Sequence, residues 1–319
     1  MQTLLVGLVE GPRPANQTRL HYVDLGDGEQ MVVHEELGPT LSSDAPLVIL
    51  VHGLGGDHSA AYLSRIAYQL RRRNCLVWRI DLRGSGHGFE LAWRPANAGA
   101  SGDLQSVLTK AAQVHPNSPI FLVGFSLSGN IVLKLLGELA SGKYPLSLNE
   151  SGIQQALAIA PPIDLHDCAD NMDRFSRRLY TMYYVKALQK QAQRKRELFE
   201  QWQQRPTHPS IKTIRQFDER YTAPLSGFRD ATHYYSESSS IHWLPNIQTP
   251  TEIILDRDDP IVTWSSHLKA QFDPTKVNFH HTRHGGHMGY FGIDDQRQMI
   301  RWLEYYVIHR VATATFEQR

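Results

Sequence analysis

The sequence predicts an α/β fold in which a mainly parallel central sheet is flanked by helices. Short and continuously apolar runs recur along the 319 residues, and such runs are typical of strands buried on both faces of a parallel sheet. Longer segments with helical spacing separate these runs, and this alternation is typical of α/β proteins. One long helical stretch interrupts the alternation and indicates an insertion between two core strands.

The predicted strands begin with a hairpin at the edge of the sheet. His21–Leu25 and Met31–His34 flank a turn that contains two glycines, Gly26 and Gly28. Six further runs are bounded by turn residues and are predicted as core strands: Leu47–Val51, Leu76–Ile80, Ile120–Val123, Ala156–Ile159, Glu252–Leu255 and Val277–His280. Most of them lack polar alternation, so we expect them in the interior of the sheet.

Three helices are predicted between and after these strands. They are Ser59–Arg72, Ser128–Leu139 and Gln298–Val311. In the second of them Ile131 and Leu135 belong to one apolar stripe, as expected for a helix that packs one face on a sheet.

The strand and helix rhythm stops between about residues 164 and 249. A long helical pattern there is followed by a passage rich in proline, serine and tyrosine. Insertions of this length between core strands usually form a functional element such as a cap. We therefore predict three parts, namely a core segment at residues 1–163, a helical cap or lid at 164–249, and a second core segment at 250–319.

The helical pattern from Arg174 to Gln204 mixes basic and aromatic side chains: Arg177, Arg178, Lys186, Lys190, Arg194, Lys195 and Arg196 with Tyr180, Tyr183, Tyr184 and Trp202. A helix of this composition could bind a membrane surface or a nucleic acid. It could equally be a solvated face with a packed aromatic stripe, and we favour this second interpretation.

Composition and charge limit the partners of the protein. The formal net charge is +1, so no global field steers the chain to nucleic acid or to an anionic membrane. Cys75 and Cys168 are too few for a disulfide framework and indicate reduced thiols in a cytoplasmic protein. The N-terminal run has no basic residue before it, so we expect no signal peptide, and no stretch approaches the roughly 18 apolar residues of a membrane span. The oligomeric state stays open.

The stretch GFSLSGN at residues 124–130 is the first candidate for chemistry. It follows a buried strand and opens a helix, which is the setting of a nucleophile elbow. The elbow pattern is G-x-S-x-G, and here Ser128 occupies the last glycine position while Gly129 comes one residue later. Ser126 lies at the tip of the predicted turn, whereas Ser128 would face the backbone or a neighbouring strand. We therefore predict Ser126 as the nucleophile.

A serine nucleophile needs a base and an acid that orients it, in the chain order serine, acid, histidine in this type of fold. The loop after the strand ending at Leu255 carries three aspartates, Asp256, Asp258 and Asp259. We favour Asp259, with Asp258 and then Asp256 as alternatives that could be turn-forming residues.

The candidate base lies in a glycine-rich loop near the C-terminus. His287 is the predicted base and His284 is the alternative. Glycines beside both histidines give the loop the freedom to reach the serine, although either histidine could simply pack in a turn. The agreement of chain order and loop position for serine, acid and base is the strongest signal in the sequence.

Acyl transfer also needs hydrogen-bond donors for the oxyanion. The backbone N–H of Leu127, directly after the nucleophile, is one candidate. The other is the N–H of Leu54 in the HGLGG loop that follows the strand LVILV. We expect His52 to hold this loop in place and not to act as a second base.

Two further patterns are interpreted as structural. Residues 81–88, DLRGSGHG, are glycine-rich but lack the G-K-[ST] ending of a phosphate-binding loop and the spacing of a dinucleotide fingerprint. The remaining histidines, among them His233, His242, His280 and His281, show no ligand spacing typical of a metal site. We expect no cofactor and no catalytic metal.

In this order, the motifs HGLGG, DLRGSGHG, GFSLSGN, DDPIV and HGGHMGY resemble the α/β-hydrolase fold family. More narrowly they resemble its YheT-like branch of predicted esterases, related to animal abhydrolase-domain lipases, because the branch carries a passage in its cap that is similar to FDERYTAPLSGF at residues 217–228. The resemblance implies a triad of Ser126, Asp259 and His287 and the hydrolysis of carboxylic esters. Ser128 departs from the branch, which usually has glycine there.

Three functional hypotheses follow. The first is a serine carboxylesterase acting on a small-molecule ester through an acyl-enzyme intermediate, with a cap that selects the substrate. The second is a lipase or phospholipase that acts on acyl lipids at a membrane surface. The third is a catalytically silent hydrolase fold that serves as a binding module. The physiological ester and its acyl length are not encoded in any motif.

Overall fold

Eight strands form one central sheet in the computed structural model, which describes residues 18–38, 42–144, 152–207, 210–293 and 297–316. Their order across the sheet is β1-β2-β4-β3-β5-β6-β7-β8. The strands are β1 (Thr18–Asp24), β2 (Gln30–Glu36), β3 (Leu47–Val51), β4 (Leu76–Asp81), β5 (Ile120–Phe125), β6 (Ile153–Ile159), β7 (Thr251–Asp256) and β8 (Val277–Thr282). β2 pairs antiparallel with β1 and β4, and all later pairs are parallel. The mainly parallel sheet and its edge hairpin are confirmed.

Helices connect the strands in the described part of the chain. Before β6 they are α1 (Ala61–Arg71), α2 (Ser101–Val114) and α3 (Leu127–Ala140). Between β6 and β7 they are α4 (Leu165–Met172), α5 (Arg178–Leu198), α6 (Glu200–Gln203), α7 (Ile214–Phe217), α8 (Ala223–Leu225) and α9 (Ala231–Ser238), with one π-helical turn at Asp218–Thr222. After β7 they are α10 (Trp264–Lys269) and α11 (Trp302–Phe316). None of these helices is long and apolar enough to cross a bilayer.

The helices cover both faces of the sheet, and each face has its own apolar core. α2 and α3 place Leu104 and Ile131 on one face, against strand residues such as Ile49. α1 and α11 place Leu63 and Val307 on the other face. Because neighbouring strand residues point to opposite faces, an apolar run serves both cores at once, which explains why the predicted strands are continuously apolar.

The structure differs from the sequence prediction in several elements. The last helix begins at Trp302 and not at Gln298, because Met299–Arg301 (β10) pairs antiparallel with Phe291–Ile293 (β9). The long helical pattern is divided at Phe199, whose backbone is extended, so that α5 and α6 are separate. Helix α2 was not predicted. Residues 1–17, on which the signal-peptide expectation rests, lie outside the described residues.

The segment between β6 and β7 packs in two ways. Residues of α5, α6, α7 and α8, of the π-helical turn and of the loop before α7 form a separate apolar cluster: Val185, Leu188, Ala192, Trp202, Ile211, Phe217, Tyr221 and Leu225. From Ala223 onward, the chain also contributes Tyr234 and Leu244 to the core on the α3 face of the sheet. The three-part division at residues 163 and 249 stays a prediction, and this packing places only the first part of the segment away from the sheet.

Candidate active site

The elbow joins β5 to α3 through a backbone conformation that side chains rarely adopt. Ser126 has φ +53° and ψ −118°. A side chain at position 124 would bring its Cβ to 2.3 Å from the carbonyl oxygen of Ser128, and one at position 129 would lie 3.0 Å from Cβ of Pro161. The close approach of strand and helix therefore requires Gly124, and at Gly129 the neighbouring loop leaves little room for a side chain.

The two serines of the elbow have different surroundings. Ser126 is half-buried and lines a cleft. Ser128 is fully buried, and its hydroxyl donates a hydrogen bond to the carbonyl oxygen of His52 at 2.5 Å. Only Ser126 is therefore presented to a substrate. Ser128 instead connects the elbow to the loop after β3, in agreement with its predicted orientation toward the backbone.

His287 lies between the serine and an aspartate. Its Nε2 is 2.9 Å from the hydroxyl oxygen of Ser126, and its Nδ1 is 2.8 Å from Oδ2 of Asp259. The alternative base, His284, has a side chain that is 83% exposed and contacts only the outer carboxylate of Asp258, at 3.7 Å. The geometry thus brings together Ser126, His287 and Asp259 and leaves His284 outside.

The three aspartates of the loop after β7 make different contacts. Asp259 is buried, and its Oδ1 accepts the backbone N–H groups of Ile261 and Val262 at 2.8 and 3.0 Å. These two donors fix the carboxylate so that its other oxygen faces His287. Asp258 accepts the N–H groups of Gly285 and Gly286 instead.

Asp256 lies deeper than its two neighbours in that loop. It accepts hydrogen bonds from the backbone N–H of Asp258 and from the hydroxyl of Thr282 at 2.9 and 2.5 Å. Burial raises its pKa to about 6. Asp258 and Asp256 thus support the two loops that carry Asp259 and His287, and only Asp259 contacts the imidazole.

Two backbone N–H groups border the serine. Leu54 and Leu127 both line the cleft with Ser126, and a Cβ at Gly53 would lie 3.1 Å from Cβ of Ser126, so the loop approaches the serine closely. Within the described part of the chain, neither the Leu54 nor the Leu127 N–H donates to another residue. The N–H of Leu127 also lies at the N-terminus of α3, where the helix dipole favours negative charge.

His52 holds the loop that carries Leu54. Its Nδ1 donates to the carbonyl of Gly53 at 2.8 Å, and its Nε2 accepts the N–H of Leu82 at 3.1 Å. Burial lowers the pKa of His52, so the neutral ring with one donor and one acceptor is favoured. This arrangement agrees with the predicted structural role.

The buried arginine of the glycine-rich loop after β4 is paired with carboxylates and is therefore not available to bind a phosphate. Arg83 forms ion pairs with Asp27, Glu29 and Asp103. Gly84 and Ser85 instead line the cleft, which supports the interpretation of this loop as structural.

The cleft above Ser126 is mainly apolar and lies between the sheet edge and the helices that follow β6. It encloses about 1220 Å³, including the part open to solvent. Its apolar lining includes Met172, Leu188, Trp202, Ile214 and Phe217. The predicted aromatic stripe includes Trp202 of this lining, but the sequence could not show which cavity the stripe lines.

A buried carboxyl interrupts this apolar lining. Asp218 lines the cleft and accepts a hydrogen bond from the Tyr235 hydroxyl at 2.8 Å. Burial, which outweighs the hydrogen bonds from Thr222 and Tyr235, raises the pKa of Asp218 to about 6. Asp218 belongs to the passage FDERYTAPLSGF that carries the family resemblance, but neither Asp218 nor Tyr235 was predicted as part of the site.

Cys168 also lines the cleft. Burial raises the pKa of its thiol, so the thiolate that would be needed for nucleophilic attack is disfavoured. Ser126 is thus the better-placed nucleophile of the two.

Comparison with known proteins agrees with this fold. A family described as having the alpha/beta hydrolase fold matches residues 46–292. The chain is 27% identical over 277 residues to the predicted esterase YheT of Escherichia coli, covering 85% of this chain and 78% of that protein. It is 29% identical over 284 residues to medium-chain fatty acid ethyl ester synthase/esterase 2 of Saccharomyces cerevisiae, covering 82% of this chain and 61% of that protein.

Solved structures show the same architecture. The esterase Pf2001 of Pyrococcus furiosus superimposes with a TM-score of 0.58 at 15% identity, over 97% of each chain. At this identity the likeness concerns the fold alone, whereas the family match covers most of the chain. The chain belongs to the α/β-hydrolase fold family, and the proteins that it is similar to include esterases and lipases.

Proposed function

We propose that the protein is a serine carboxylesterase in which Ser126, His287 and Asp259 form the catalytic triad. The observation that carries this proposal is the continuous chain of contacts from Asp259 through His287 to Ser126, at 2.8 and 2.9 Å, at the base of an apolar cleft. A hydroxyl, an imidazole and a carboxylate at these distances are the groups that acyl transfer through a covalent intermediate requires.

Acylation begins when the Ser126 hydroxyl oxygen attacks the ester carbonyl carbon and its proton passes to Nε2 of His287. Asp259 holds the proton on Nδ1 and stabilises the imidazolium that forms. The N–H groups of Leu54 and Leu127 donate to the oxyanion, and one such donor lowers the barrier by about 3 kcal/mol. The imidazolium then gives its proton to the leaving alkoxide, which departs as the alcohol.

Deacylation uses the same groups in reverse order. His287 takes a proton from water, whose oxygen attacks the acyl carbon bound to Ser126. Collapse of the second tetrahedral intermediate releases the carboxylic acid, and the proton returns to the serine oxygen. No metal or cofactor is needed to balance these steps.

The lining of the cleft supports an ester with a sizeable apolar part. Leu188, Trp202 and Phe217 offer apolar surface, and each buried methylene of a substrate gains about 0.8 kcal/mol. The similar yeast protein is named for medium-chain fatty acid ethyl esters. We therefore infer a preference for acyl esters longer than acetate.

A lipase acting at a membrane surface is the second candidate, because an apolar stripe on the cap faces solvent. Phe175, in the 3₁₀ turn before α5, and Leu179, Met182 and Tyr183, in the first turns of α5, recur at helical spacing and are between 39% and 86% exposed. Exposed apolar surface beside basic residues such as Arg178 is typical of helices that bind at a membrane interface.

The proposal is tested by measuring hydrolysis of p-nitrophenyl esters from acetate to palmitate. We expect Ser126→Ala to lower kcat on the order of 10⁶-fold, since removing a triad serine has effects of this size. Ser128→Ala is the matched control and should retain activity within about tenfold, because it removes one structural hydrogen bond worth about 1 kcal/mol. Equal activity of wild type and Ser126→Ala would refute the triad, and an inactive wild type that no fluorophosphonate labels would favour the binding-module hypothesis.

A further inference from the structure

Three histidines from separate segments meet at one end of the sheet. His34 lies on β2, His58 in the loop after β3, and His87 in the short 3₁₀ helix Gly86–Gly88. One ring nitrogen of each lies within 4.8 Å of a ring nitrogen of the others. The rings of His34 and His58 stack with centroids 3.4 Å apart, and the ring of His87 is 4.8 Å from both.

A buried carboxylate lies directly against this cluster. Asp81, at the end of β4, is fully buried, with Oδ2 2.9 Å from Nε2 of His34 and Oδ1 2.8 Å from Nδ1 of His58. The backbone N–H groups of His58 and His87 also donate to it, at 2.8 and 2.9 Å. These backbone donors hold the carboxylate in one orientation toward the imidazoles.

The turn that carries His87 is shaped by its contact with Asp81. Gly86 has φ +51°, and a Cβ there would lie 2.1 Å from Oδ1 of Asp81. Only glycine permits this approach. Two backbone N–H groups and two imidazoles already supply hydrogen bonds to the Asp81 carboxylate. These bonds do not explain why the turn brings a third imidazole, that of His87, to the same point.

We propose that His34, His58, His87 and Asp81 bind one divalent transition-metal ion, with Zn²⁺ the expected ion. Imidazole and carboxylate are ligands that zinc prefers, and bonds of about 2.0–2.1 Å in a tetrahedral site separate the ligand atoms by about 3.3 Å. The imidazole–carboxylate distances of 2.8 and 2.9 Å are close to this value, and the stacked rings of His34 and His58 must tilt relative to each other to direct both lone pairs to one ion. On binding, the proton that each imidazole shares with the carboxylate moves to the other ring nitrogen, which frees a lone pair for the metal.

Further negative charge lies beside the cluster. Asp57, adjacent in sequence, offers a second carboxylate oxygen within 4.8 Å of ligand atoms of His58 and Asp81. Two carboxylates at one point attract a divalent cation more strongly than an isolated imidazole cluster would.

The metal would have a structural role. None of the three histidines is among the described residues that line the cleft. His58 lies four residues after Leu54 in the same loop, and its carbonyl accepts a hydrogen bond from Arg79 at 2.5 Å. A metal at this point would connect the oxyanion loop to β2, to β4 and to the Gly86 turn. The three histidines were missed in the sequence because positions 34, 58 and 87 share no short spacing.

The test is a titration of untagged, chelator-treated protein with Zn²⁺, monitored by calorimetry, with metal content measured after dialysis. We expect one Zn²⁺ per chain and a rise of the melting temperature on binding. His87→Ala, at an exposed position that should not disturb folding, should weaken Zn²⁺ binding at least about tenfold. His309→Ala, an exposed histidine on α11, is the matched control and should bind as wild type does.

Substitution with Co²⁺ gives a second measurement. A four-coordinate site with nitrogen and oxygen ligands should give intense visible absorption in wild type and in His309→Ala but not in His87→Ala. The proposal is wrong if His87→Ala binds Zn²⁺ as tightly as wild type, or if wild type binds less than one ion per chain. These measurements do not use ester hydrolysis, so their result is independent of the proposed esterase activity.

Discussion

At the scale of single residues, one hydroxyl explains how the elbow tolerates serine where glycine is usual. The conflict at this turn comes from backbone crowding at Gly124 and Gly129, at 2.3 and 3.0 Å for an added Cβ. Ser128 points instead toward the loop after β3, and its hydrogen bond to the His52 carbonyl satisfies a buried polar group. The substitution therefore adds a connection between the elbow and the loop that carries Leu54.

The acid of the proposed triad can be tested by two neighbouring substitutions. Asp259→Asn should lower kcat by about 10³–10⁴-fold, because an amide no longer stabilises the imidazolium and allows the wrong tautomer of His287. Asp258→Asn is the control and should lower kcat less than about tenfold, since its remaining carbonyl oxygen can still accept the N–H groups of Gly285 and Gly286. A larger loss in Asp258→Asn than in Asp259→Asn would reverse the assignment.

A second prediction concerns Asp218 and the dependence of the free energy of unfolding on pH. Its pKa is raised by burial from 3.8 to about 6 in the folded protein. Between these values the unfolded chain has released the proton and the folded chain still holds it, so this group lowers the free energy of unfolding as the pH rises from about 4 to 6. Above about pH 6 the buried Asp218 carboxylate lowers the free energy of unfolding by its full amount, roughly 2–3 kcal/mol.

Asp218→Asn removes this titration while its amide oxygen still accepts from Tyr235. We expect the variant to gain stability relative to wild type as the pH rises through that window, and the difference to be constant above it. Urea unfolding at several pH values measures this difference. A difference that is the same at pH 4 and pH 7 would show that Asp218 does not titrate in this range.

At the scale of elements, the sequence was most informative where one local rule decides the structure. All six core strands were predicted, since an apolar run bounded by turn residues has few alternatives in an α/β chain. Helix α2 was not predicted, although the helical spacing of its buried residues is a local signal for it: Leu104, Val107, Leu108 and Ala111. The start of the last helix was wrong because β9 and β10 pair through contacts that no local pattern specifies.

The candidate site divides in the same way. Ser126, His287 and Asp259 lie in loops next to strands, so chain order and glycine context indicated all three. Asp218 and the three clustered histidines depend on how distant segments pack, and a single sequence contains no signal for such packing.

The attachment of α5 to the core is the element-scale feature that we expect to control the cleft. Lys195 is buried, and its ammonium donates to the carbonyls of Phe89 and Ala92, both at 2.5 Å. Nearby, the indole N–H of Trp202 donates to the carbonyl of Trp93 at 2.6 Å. One loop of the core thus receives three donors from the helices that line the cleft.

Lys195→Met keeps the length and apolar stem of the side chain but leaves two carbonyls without their donor. We expect a loss of about 1–3 kcal/mol in the free energy of unfolding and a higher KM for long acyl esters. Lys190→Met, at an exposed position of the same helix, is the control and should change neither quantity. Equal urea midpoints for the two variants would show that this attachment contributes little.

At the scale of the whole molecule, the apolar surfaces of the α5 region face two ways. Val185, Leu188 and Ala192 are buried toward the cleft and its cluster. Phe175, Leu179 and Tyr183 point to solvent. An esterase that acts on a dissolved ester needs only the first surface, whereas an enzyme that takes its substrate from a bilayer needs both, with the second as the docking surface.

If the protein takes its substrate from a bilayer, we expect the wild type to cosediment with anionic phospholipid vesicles and the double variant Phe175→Ser/Leu179→Ser to lose this binding by about 100-fold, because each buried side chain contributes roughly 1.5–3 kcal/mol. Leu268→Ser, an exposed leucine on α10, is the control and should bind vesicles as wild type does. Hydrolysis of a soluble p-nitrophenyl ester should be the same in all three proteins, since the stripe does not line the cleft. If wild type does not bind vesicles while it hydrolyses the soluble ester, the membrane lipase is excluded and the carboxylesterase remains.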